Sequence, residues 1–496
     1  MKLCIFAVMA LAAGLLSGCG GGGSTSTGGT GGGTPDIGTL SSVSDSNQYT
    51  LKNVSSGLVL GIAGQSQTAG ANLAQETDTG ATDSLWHFMP MSNEQYNVEN
   101  MLTHQVIGIK DASAASGAQA LQWSDNGTSD HLWSFYLLTD GNYLIKNVKS
   151  GLYLEDAASG STSSAVIDQG ARAATGTGCT CQEWTLTSNG TSPYPNPMSV
   201  NVSYTSPDSS QIGIHDPSMV KAGSTYYVFS THGTLHAHQS ADRVTFSDDG
   251  YALSSLPAWT NGYTGSSGDL WAPDASEHNG VYWLYYAAST FGSANSAIGL
   301  ATSSNGVPGT YNDSGAAIYT SASCAGSNAI DPASVVDASG NAWMVFGSYS
   351  NGIHIVPVDN TTGIPTGAAC TQLAYHSSGS GIEGSYIYPH GGYYYLFASI
   401  DGCCNGVNST YRIIVGRSST ITGPYTDRGG LALTSGGGTI VLSAHGNING
   451  PGGQTVLLDT DGDILVYHYY DGNNSGYPAL GMNKLGWTSD GWPYVE

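Results

Sequence analysis

The sequence predicts an all-β protein with two repetitive domains, and its composition, a threefold repeat and a fivefold repeat support this prediction. The 496 residues include 70 glycines and 30 tyrosines, whereas only 10% of them are charged. Helix faces need residues such as Glu, Lys, Leu and Ala. The composition therefore favours many short strands joined by tight turns.

The charge balance limits the class of partner. Twelve basic against 36 acidic residues give a formal net charge of −24, and such a field repels nucleic acids and other polyanions. A neutral ligand is compatible with this charge, and no nucleic-acid partner is expected.

The N-terminus predicts export and a lipid anchor. A positively charged start precedes an apolar stretch, residues 3–16, that is too short to span a bilayer. The next Leu-Ser-Gly-Cys resembles a bacterial lipobox, so we interpret residues 1–19 as a lipoprotein signal peptide with Cys19 as the lipidated residue. The protein is expected at the cell envelope, on the outer membrane or the cell surface, or released from it. The alternative to a lipoprotein signal is an ordinary cleaved signal peptide. Residues 20–44 are predicted to be a flexible Gly/Ser/Thr linker.

Six cysteines lie in the two predicted domains, and their spacing matches no zinc-binding pattern. We expect Cys324 to pair with Cys370. The adjacent Cys403 and Cys404 are expected to form a vicinal disulfide.

Residues 45–190 contain a threefold repeat. Three series recur every 47 residues: Tyr49, Tyr96 and Tyr143; Asn53, Asn100 and Asn147; Gln75, Gln122 and Gln169. Trp86, Trp133 and Trp184 close the three units. A repeat of short strands with this period predicts a closed β structure with threefold symmetry.

These units resemble the β-trefoil of ricin-type lectins and family 13 carbohydrate-binding modules. Such lectins usually place an Asp after the apolar residue of the central strand, whereas this chain has Gly61, Gly108 and Glu155 there. Gln75, Gln122 and Gln169 are candidate glycan contacts, and the alternative is that they hold the threefold core together.

Residues 198–496 follow a proline-rich connector and predict a five-bladed β-propeller. Five times, at intervals of 52 to 62 residues, a polar residue precedes an aromatic strand: Asp216, Asp274, Asp331, Glu383 and His445. Units of this size are typical of blades with four short strands. Because the innermost strand of each blade starts at the central channel, these side chains are predicted to converge on one site.

A ring of carboxylates can hydrolyse a glycosidic bond. One carboxylic acid protonates the leaving oxygen, and another carboxylate attacks or activates water. Burial and a nearby negative charge keep the acid protonated near neutral pH. A single Asp-Pro pair is a common turn, so the prediction depends on the shared spacing.

Four segments carry a closer resemblance: IHDPS at 214–218, LWAPD at 270–274, AIDP at 329–332 and IEGSY at 382–386. In this order they resemble the motifs of family 43 glycoside hydrolases. STFGS at 289–293 and GCCNGVNSTYR at 402–412 are similar to the endo-1,5-α-L-arabinanase branch. The resemblance implies inverting hydrolysis within arabinan, a neutral plant cell-wall polysaccharide. We expect a monomer.

The resemblance also implies a role for each carboxyl group. Asp216 matches the general base, Glu383 the general acid, and Asp331 the residue that raises the pKa of the acid and orients it. In an inverting pair the carboxyls of Asp216 and Glu383 are expected roughly 6.5–9.5 Å apart. The family places one cation, usually calcium, on a histidine near the C-terminus, which makes His468 the candidate ligand. Water is expected to complete the shell, since hard cations prefer oxygen, and no organic cofactor is expected.

The remaining candidates concern substrate binding. Trp271 is the candidate stacking surface for an arabinose ring, and Asp274 is a candidate substrate ligand or a turn residue. His445 and Asn447 are candidate lining residues of the channel.

Two other functions stay open. An exo-acting α-L-arabinofuranosidase or β-xylosidase could use the same propeller with one end of the groove blocked. A non-catalytic surface glycan-binding lipoprotein is the second, and the retention of all three carboxylates argues against it.

Overall fold

The computed structural model describes residues 36–44, 47–90, 94–123, 125, 128–156, 164–172, 179–190, 194–203, 213–265, 267–376, 381–488 and 491–496. The predicted signal peptide, Cys19 and most of the predicted linker lie outside these ranges. Within them, no helix has the length and apolar character needed to cross a membrane.

The N-terminal domain is a 13-stranded sheet. Its strands are β1 Thr39–Leu40, β2 Gln48–Asn53, β3 Val59–Ile62, β4 Leu73–Glu76, β5 Trp86–Pro90, β6 Tyr96–Asn100, β7 Val106–Ile109, β8 Ala118–Trp123, β9 Leu132–Leu137, β10 Tyr143–Asn147, β11 Tyr153–Glu155, β12 Asp168–Gly170 and β13 Glu183–Ser188. Short 3-10 helices span Ala63–Gln65, Thr82–Ser84, Lys110–Ala112, Ser129–His131 and Thr180–Gln182. Each unit of the repeat supplies four strands, beginning at β2, β6 and β10, which confirms the predicted β-trefoil.

The repeated tryptophans form the threefold core. The indole N–H of Trp86 donates to the main-chain oxygen of Leu60 at 3.0 Å, and Trp133 and Trp184 make the equivalent bonds at 2.9 and 3.0 Å. All three rings are fully buried. Since a buried indole N–H needs a partner, the repeat of Trp follows from one bond made three times.

The repeated glutamines join neighbouring units, and the prediction that they contact glycan is wrong. Gln75, Gln122 and Gln169 are fully buried. The amide of Gln122 donates to the main-chain oxygens of Ser66 and Thr68 at 2.7 and 2.9 Å, and Gln169 makes the corresponding pair one unit later. Hydroxyl groups donate to the amide oxygens of all three. These side chains have no surface left for a ligand.

The trefoil begins earlier than predicted. β1 pairs with β9, with Thr39 opposite Leu137. The carboxylate of Asp36 accepts hydrogen bonds from the main chain and hydroxyl of Thr139 at 2.9 and 2.8 Å. The predicted end of the linker at residue 44 is therefore wrong, because the chain already belongs to the sheet at residue 39.

Residues 201–496 form five antiparallel blades in chain order, as predicted. The blades comprise β15 Ser218–Ala222, β16 Thr225–Ser230, β17 His236–Ser240 and β18 Thr245–Tyr251; β19 Leu270–His278, β20 Val281–Ala288, β21 Ala297–Ser303, β22 Asn312–Asp313 and β23 Tyr319–Thr320; β24 Ala333–Val336, β25 Ala342–Phe346, β26 Ile353–Pro357 and β27 Thr371–Ala374; β28 Gly381–His390, β29 Tyr393–Asp401, β30 Arg412–Ser418 and β31 Thr439–Leu442; and β32 Ile448–Asp459, β33 Gly462–Asp471, β34 Tyr477–Trp487 and β35 Pro493–Val495. β14 Asn201–Val202 adds to β18 in parallel. Helix α1 spans Asn261–Thr264, and 3-10 helices span Ala258–Thr260, Ser321–Ser323, Gly406–Asn408, Leu433–Ser435 and Gly472–Asn474.

Polar contacts link every pair of neighbouring blades around the channel. The five hydrogen bonds, each given from donor to acceptor, are Ala275 N to Ser218 Oγ, Ser334 N to Asp274 Oδ2, Gly384 N to Asp331 Oδ2, Gln454 Nε2 to Gly384 O, and Thr455 Oγ1 to Pro217 O. The last contact joins the fifth blade to the first. Apolar residues of those two blades also pack together, including Val228 and Val466, so the ring closes through side-chain contacts.

Three disulfides lie in the described ranges. Cys324–Cys370 and Cys403–Cys404 are present, which confirms both predicted pairs. Cys179–Cys181 was not predicted.

A buried polar cluster joins the trefoil to the propeller. The hydroxyl of Tyr194, in the connector, donates to the carboxylate of Glu99 in β6 at 2.8 Å. His87 and His104 contact the same carboxylate through Nδ1 at 3.1 Å. On its other side, the Tyr194 ring lies 5.6 Å from the His445 ring of the propeller.

Candidate active site

A cleft of about 1060 Å³ opens over the channel of the propeller. Asp216, Asp331 and Glu383 all line it, although they come from the first, third and fourth blades. This confirms that the three carboxylates converge on one site. The separation predicted for the carboxyls of Asp216 and Glu383 stays a prediction.

The backbone repeats around the channel in a way that the sequence did not reveal. A residue with positive φ precedes or interrupts the innermost strand of each blade: Asp216 (φ 47), Ala272 (φ 43), Asp331 (φ 53), Gly384 (φ 61) and Gly453 (φ 58), and the strand of the fifth blade also contains Gly450 (φ 52). For residues other than glycine this conformation is strained and is often found at functional sites. In the second and fifth blades, the positions equivalent to Asp216 are therefore Ala272 and Gly453, whereas the sequence spacing predicted Asp274 and His445.

Asp216 is surrounded by hydrogen-bond donors. Its Oδ2 lies 2.8 Å from His215 Nδ1 and accepts the hydroxyl of Thr231 at 2.7 Å. Burial acts to raise the pKa of Asp216, but the charge of His215 and the hydrogen bond to it outweigh this effect and hold the pKa well below its usual range. Asp216 is therefore ionised at neutral pH, as a general base must be.

The pKa of Glu383 is shifted in the opposite direction from that of Asp216. The hydroxyls of Ser348 and Tyr411 donate to its two oxygens, the former at 2.6 Å. Burial raises the pKa of Glu383 and the charge of Asp216 adds to the rise, against the effect of the two hydroxyls. A carboxyl with a raised pKa can keep its proton near neutral pH, which suits a general acid.

Asp331 lines the same cleft as the other two carboxyls. Its Oδ2 accepts the main-chain N–H of Gly384 at 2.9 Å, directly beside Glu383. Burial raises the pKa of Asp331 well above its usual range, and the charges of Glu383 and Asp216 raise it further. Three carboxyls this close resist full ionisation, so the group retains a proton.

His468 lies fully buried beneath Asp216. Its Nδ1 is 3.1 Å from the main-chain nitrogen of Asp216 and 3.5 Å from Oδ1 of the same residue. Its Nε2 is buried without a hydrogen-bond partner in the part of the chain that the structure describes. Burial and the neighbouring His215 lower the pKa of His468, so its ring is neutral.

Of the predicted substrate contacts, only Trp271 lines the cleft. Asp274 is 3% exposed and lies in a narrower channel of about 30 Å³, where its carboxylate accepts the main-chain N–H of Ser334 at 2.8 Å. The prediction that Asp274 contacts substrate is therefore wrong. A β-bulge between Trp271 and Asp274 explains the difference, because it turns the two side chains in separate directions.

His445 and Asn447 do not line the channel, which corrects a second prediction. His445 is buried against Tyr194, and its Nδ1 contacts the main-chain oxygen of Ser443 at 2.9 Å. The amide of Asn447 donates to Asp471 Oδ1 at 2.8 Å and thereby supports a turn of the fifth blade.

Several residues of the cleft were not predicted. The hydroxyls of Thr231 and Ser348 donate to Asp216 and Glu383, and each residue follows the second strand of its blade by one or two positions. A hydroxyl residue that recurs just after the second strand of a blade could have identified these two positions from the sequence. Phe291, 81% exposed at the rim of the cleft, lies in the STFGS segment that carries the family resemblance, although it was not predicted as a substrate contact.

Residues 210–493 match the glycosyl hydrolases family 43, and residues 39–123 and 129–196 match the ricin-type beta-trefoil lectin domain-like family. The extracellular endo-alpha-(1->5)-L-arabinanase 1 of Bacillus subtilis is 42% identical over 285 residues, which cover 56% of this chain and 87% of that protein. The probable arabinan endo-1,5-alpha-L-arabinosidase A of Emericella nidulans is 41% identical over 311 residues, 59% of this chain and 94% of that protein.

A solved structure gives the same result. The GH43 endo-arabinanase from Bacillus licheniformis is 40% identical and superimposes with a TM-score of 0.55, covering 60% of this chain and 100% of that chain. The family match extends over more than half of the sequence and includes every blade. The chain belongs to family 43 of the glycosyl hydrolases and carries a ricin-type β-trefoil on its N-terminal side.

Proposed function

We propose that the protein hydrolyses 1,5-α-L-arabinofuranosidic bonds within arabinan. The observation that carries this proposal is a pair of carboxyls in one cleft whose pKa values are shifted in opposite directions, lowered at Asp216 and raised at Glu383. Endo-arabinanases at 40 to 42% identity support the choice of substrate.

The residues divide the chemistry as an inverting mechanism requires. Asp216 removes a proton from water while the water oxygen attacks the anomeric carbon. Glu383 gives its proton to the leaving glycosidic oxygen on the other face of the sugar. Thr231 and Ser348 hold the two carboxyls in position, and the negative charge near Glu383 keeps its proton in place until it is transferred.

The cleft suits a polymer with flat apolar contacts. Trp271 and Phe291 both line it, and aromatic faces pack against sugar rings. The exo-acting alternative requires one end of the cleft to be closed.

The product profile on linear arabinan tests the proposal. Internal cleavage is expected to release oligosaccharides of mixed length at the earliest time points. Release of the monomer alone would instead establish exo action, and no product at all would favour the non-catalytic alternative.

We propose further that the trefoil binds glycan. The ricin-type match supports this, and Glu76 supplies a carboxylate in the first unit: a Cβ at Gly61 would lie 2.9 Å from it. In the second unit the ring of His131 occupies the corresponding space beside Gly108. Adding Glu76→Ala to an inactive Glu383→Ala chain is expected to weaken retention on insoluble arabinan; undiminished retention would contradict this assignment.

We also propose one cation, calcium by preference, held by His468. Its unpartnered Nε2 fits a ligand position, and water oxygens would supply the rest of the shell. In this structure the main-chain N–H of Asp216 donates to Nδ1 at 3.1 Å, so binding through Nε2 requires this bond to give way to a proton on Nδ1 that is shared with Asp216 Oδ1, 3.5 Å away. Such an ion supplies positive charge beside the carboxylates. Calcium is expected to raise the melting temperature of the natural chain but not that of His468→Ala; equal shifts would contradict the assignment.

We propose that the chain is exported and anchored by lipid on Cys19. The lipobox-like sequence supports this, and the relative from Bacillus subtilis is an extracellular enzyme. Labelled fatty acid is expected to enter the natural chain but not Cys19→Ala. Equal labelling of both would contradict the anchor.

A further inference from the structure

One wall of the cleft is a disulfide between two adjacent residues. Cys403 and Cys404 both line the cleft, and Cys404 is exposed in it with a positive φ of 64°. Neither residue is among the groups that carry out the proposed reaction. The position of their bond beside the general base therefore needs its own explanation.

An unbroken chain of hydrogen bonds runs from this disulfide to the general base. The main-chain N–H of Cys404 donates to Tyr470 Oη at 2.8 Å. Tyr470 Oη lies 2.8 Å from His215 Nε2, and His215 Nδ1 lies 2.8 Å from Asp216 Oδ2. Each contact holds the next group in place: the Cys404 N–H holds the Tyr470 hydroxyl, the hydroxyl holds the His215 ring, and His215 Nδ1–H donates to the carboxylate. Members of such a chain strengthen one another.

The loop that carries the disulfide is fixed at both ends. The main-chain N–H of Thr410 donates to Gly402 O at 2.8 Å, and that of Asn405 donates to Ser409 Oγ at 2.9 Å. Gly476 in the fifth blade packs so closely that a Cβ there would lie 2.5 Å from the main-chain nitrogen of Val407. Between these anchors, the S–S bond ties the side chain of Cys404 to that of Cys403.

We propose that the Cys403–Cys404 disulfide is a positioning element for the general base, acting through Tyr470 and His215. The proposal rests on the proposed function, because it takes Asp216 as the base. Because Cys404 faces the cleft, a soluble dithiol can reach it. Reduction breaks the S–S bond and forms two thiols, while the dithiol loses two electrons and two protons and closes to its own disulfide.

This predicts that reduction slows the chemical step and leaves substrate binding intact. A misdirected Cys404 N–H weakens the bonds that orient Asp216, whereas Trp271 and the rest of the cleft keep their places. A hydrogen bond such as that from Cys404 N–H to Tyr470 Oη contributes up to about 1.4 kcal/mol, which corresponds to about tenfold in rate. We expect kcat on linear arabinan to fall about tenfold while KM changes less than twofold.

The test combines reduction with variants of the full chain. Dithiothreitol is expected to lower kcat of the natural enzyme, and reoxidation to restore it. Cys403→Ser/Cys404→Ser is expected to show the reduced kcat at all times and no response to dithiothreitol. Tyr470→Phe is expected to show a similar loss that reduction does not deepen, since both changes break the same chain.

Two matched controls separate this effect from general damage. Tyr469→Phe removes a hydroxyl from the neighbouring residue, which does not line the cleft, and is expected to keep natural kcat and sensitivity. Cys324→Ser/Cys370→Ser removes another disulfide and is expected to remain sensitive to dithiothreitol.

Natural kcat in the reduced enzyme, or additive losses from Tyr470→Phe and reduction, would overturn the proposal even if the cysteine variant failed to fold. Failure of the proposed function is distinguishable, because the natural chain would then release no product from arabinan, and a wrong assignment of the base would leave Asp216→Ala with natural turnover.

Discussion

Replacement of Glu99 by Gln tests how the trefoil is joined to the propeller. Three groups face its carboxylate, namely Tyr194 Oη at 2.8 Å and the Nδ1 atoms of His87 and His104 at 3.1 Å. A glutamine keeps the shape of the side chain, but its amide N–H groups must then face donors. Because the site is fully buried, water cannot accept a hydrogen bond from the amide N–H groups that face donors.

The size of the effect follows from the pKa of Glu99. Burial acts to raise this pKa, but the hydrogen bonds from His104 and His87 outweigh it and lower the pKa from 4.5 to about 2. At about 1.4 kcal/mol per pKa unit, ionised Glu99 contributes about 3 kcal/mol to the free energy of unfolding at neutral pH. Since the folded pKa is depressed, this contribution is present above pH 4.5 and is lost as the pH falls toward 2.

Denaturant unfolding at pH 7 and at pH 3 measures this contribution. Glu99→Gln is expected to lower the free energy of unfolding by about 3 kcal/mol at pH 7, and the difference is expected to shrink by about 2 kcal/mol at pH 3. Glu94→Gln, the same change at an exposed site, is the control and is expected to have little effect at either pH. A pH-independent difference between Glu99→Gln and the natural chain would refute this account of the cluster.

Three further predictions concern the cleft and its support. Trp271→Ala is expected to raise KM on arabinan about tenfold with kcat nearly unchanged, because it removes a stacking surface worth about 1.5 kcal/mol; a loss in kcat alone would contradict this role. Ser348→Ala removes a donor to Glu383 and is expected to raise the pKa of that acid, which moves the alkaline limb of the kcat profile to higher pH. Cys324→Ser/Cys370→Ser opens a 46-residue loop and is expected to cost about 4 kcal/mol in chemical unfolding experiments. A difference under about 1 kcal/mol would contradict that assignment.

The repeats in the sequence predicted the architecture because each repeat contains one structural unit. Trp86 and its two counterparts each close one trefoil unit with the same hydrogen bond. In the propeller, Asp216 and Asp331 lie at the channel because both begin the innermost strand of a blade.

The wrong predictions come from local backbone irregularities and from tertiary contacts. A bulge separates Trp271 from Asp274, and two others interrupt β32 between Asn449 and Thr455. Spacing along the chain cannot detect such shifts, so Asp274 and His445 were assigned to the wrong positions. A sequence repeat also does not show whether a side chain is buried, and for that reason Gln122 and its counterparts were predicted as candidate glycan contacts.

The most direct test of the proposed mechanism separates proton donation from the other steps. Glu383→Ala is assayed on linear arabinan and on an arabinotriose glycoside with a dinitrophenol leaving group, which departs without a proton. The account predicts a loss of at least about 10²-fold in kcat on arabinan and a small loss on the activated glycoside. Equal losses on both substrates, or natural turnover of arabinan, would contradict the assignment of Glu383 as the general acid.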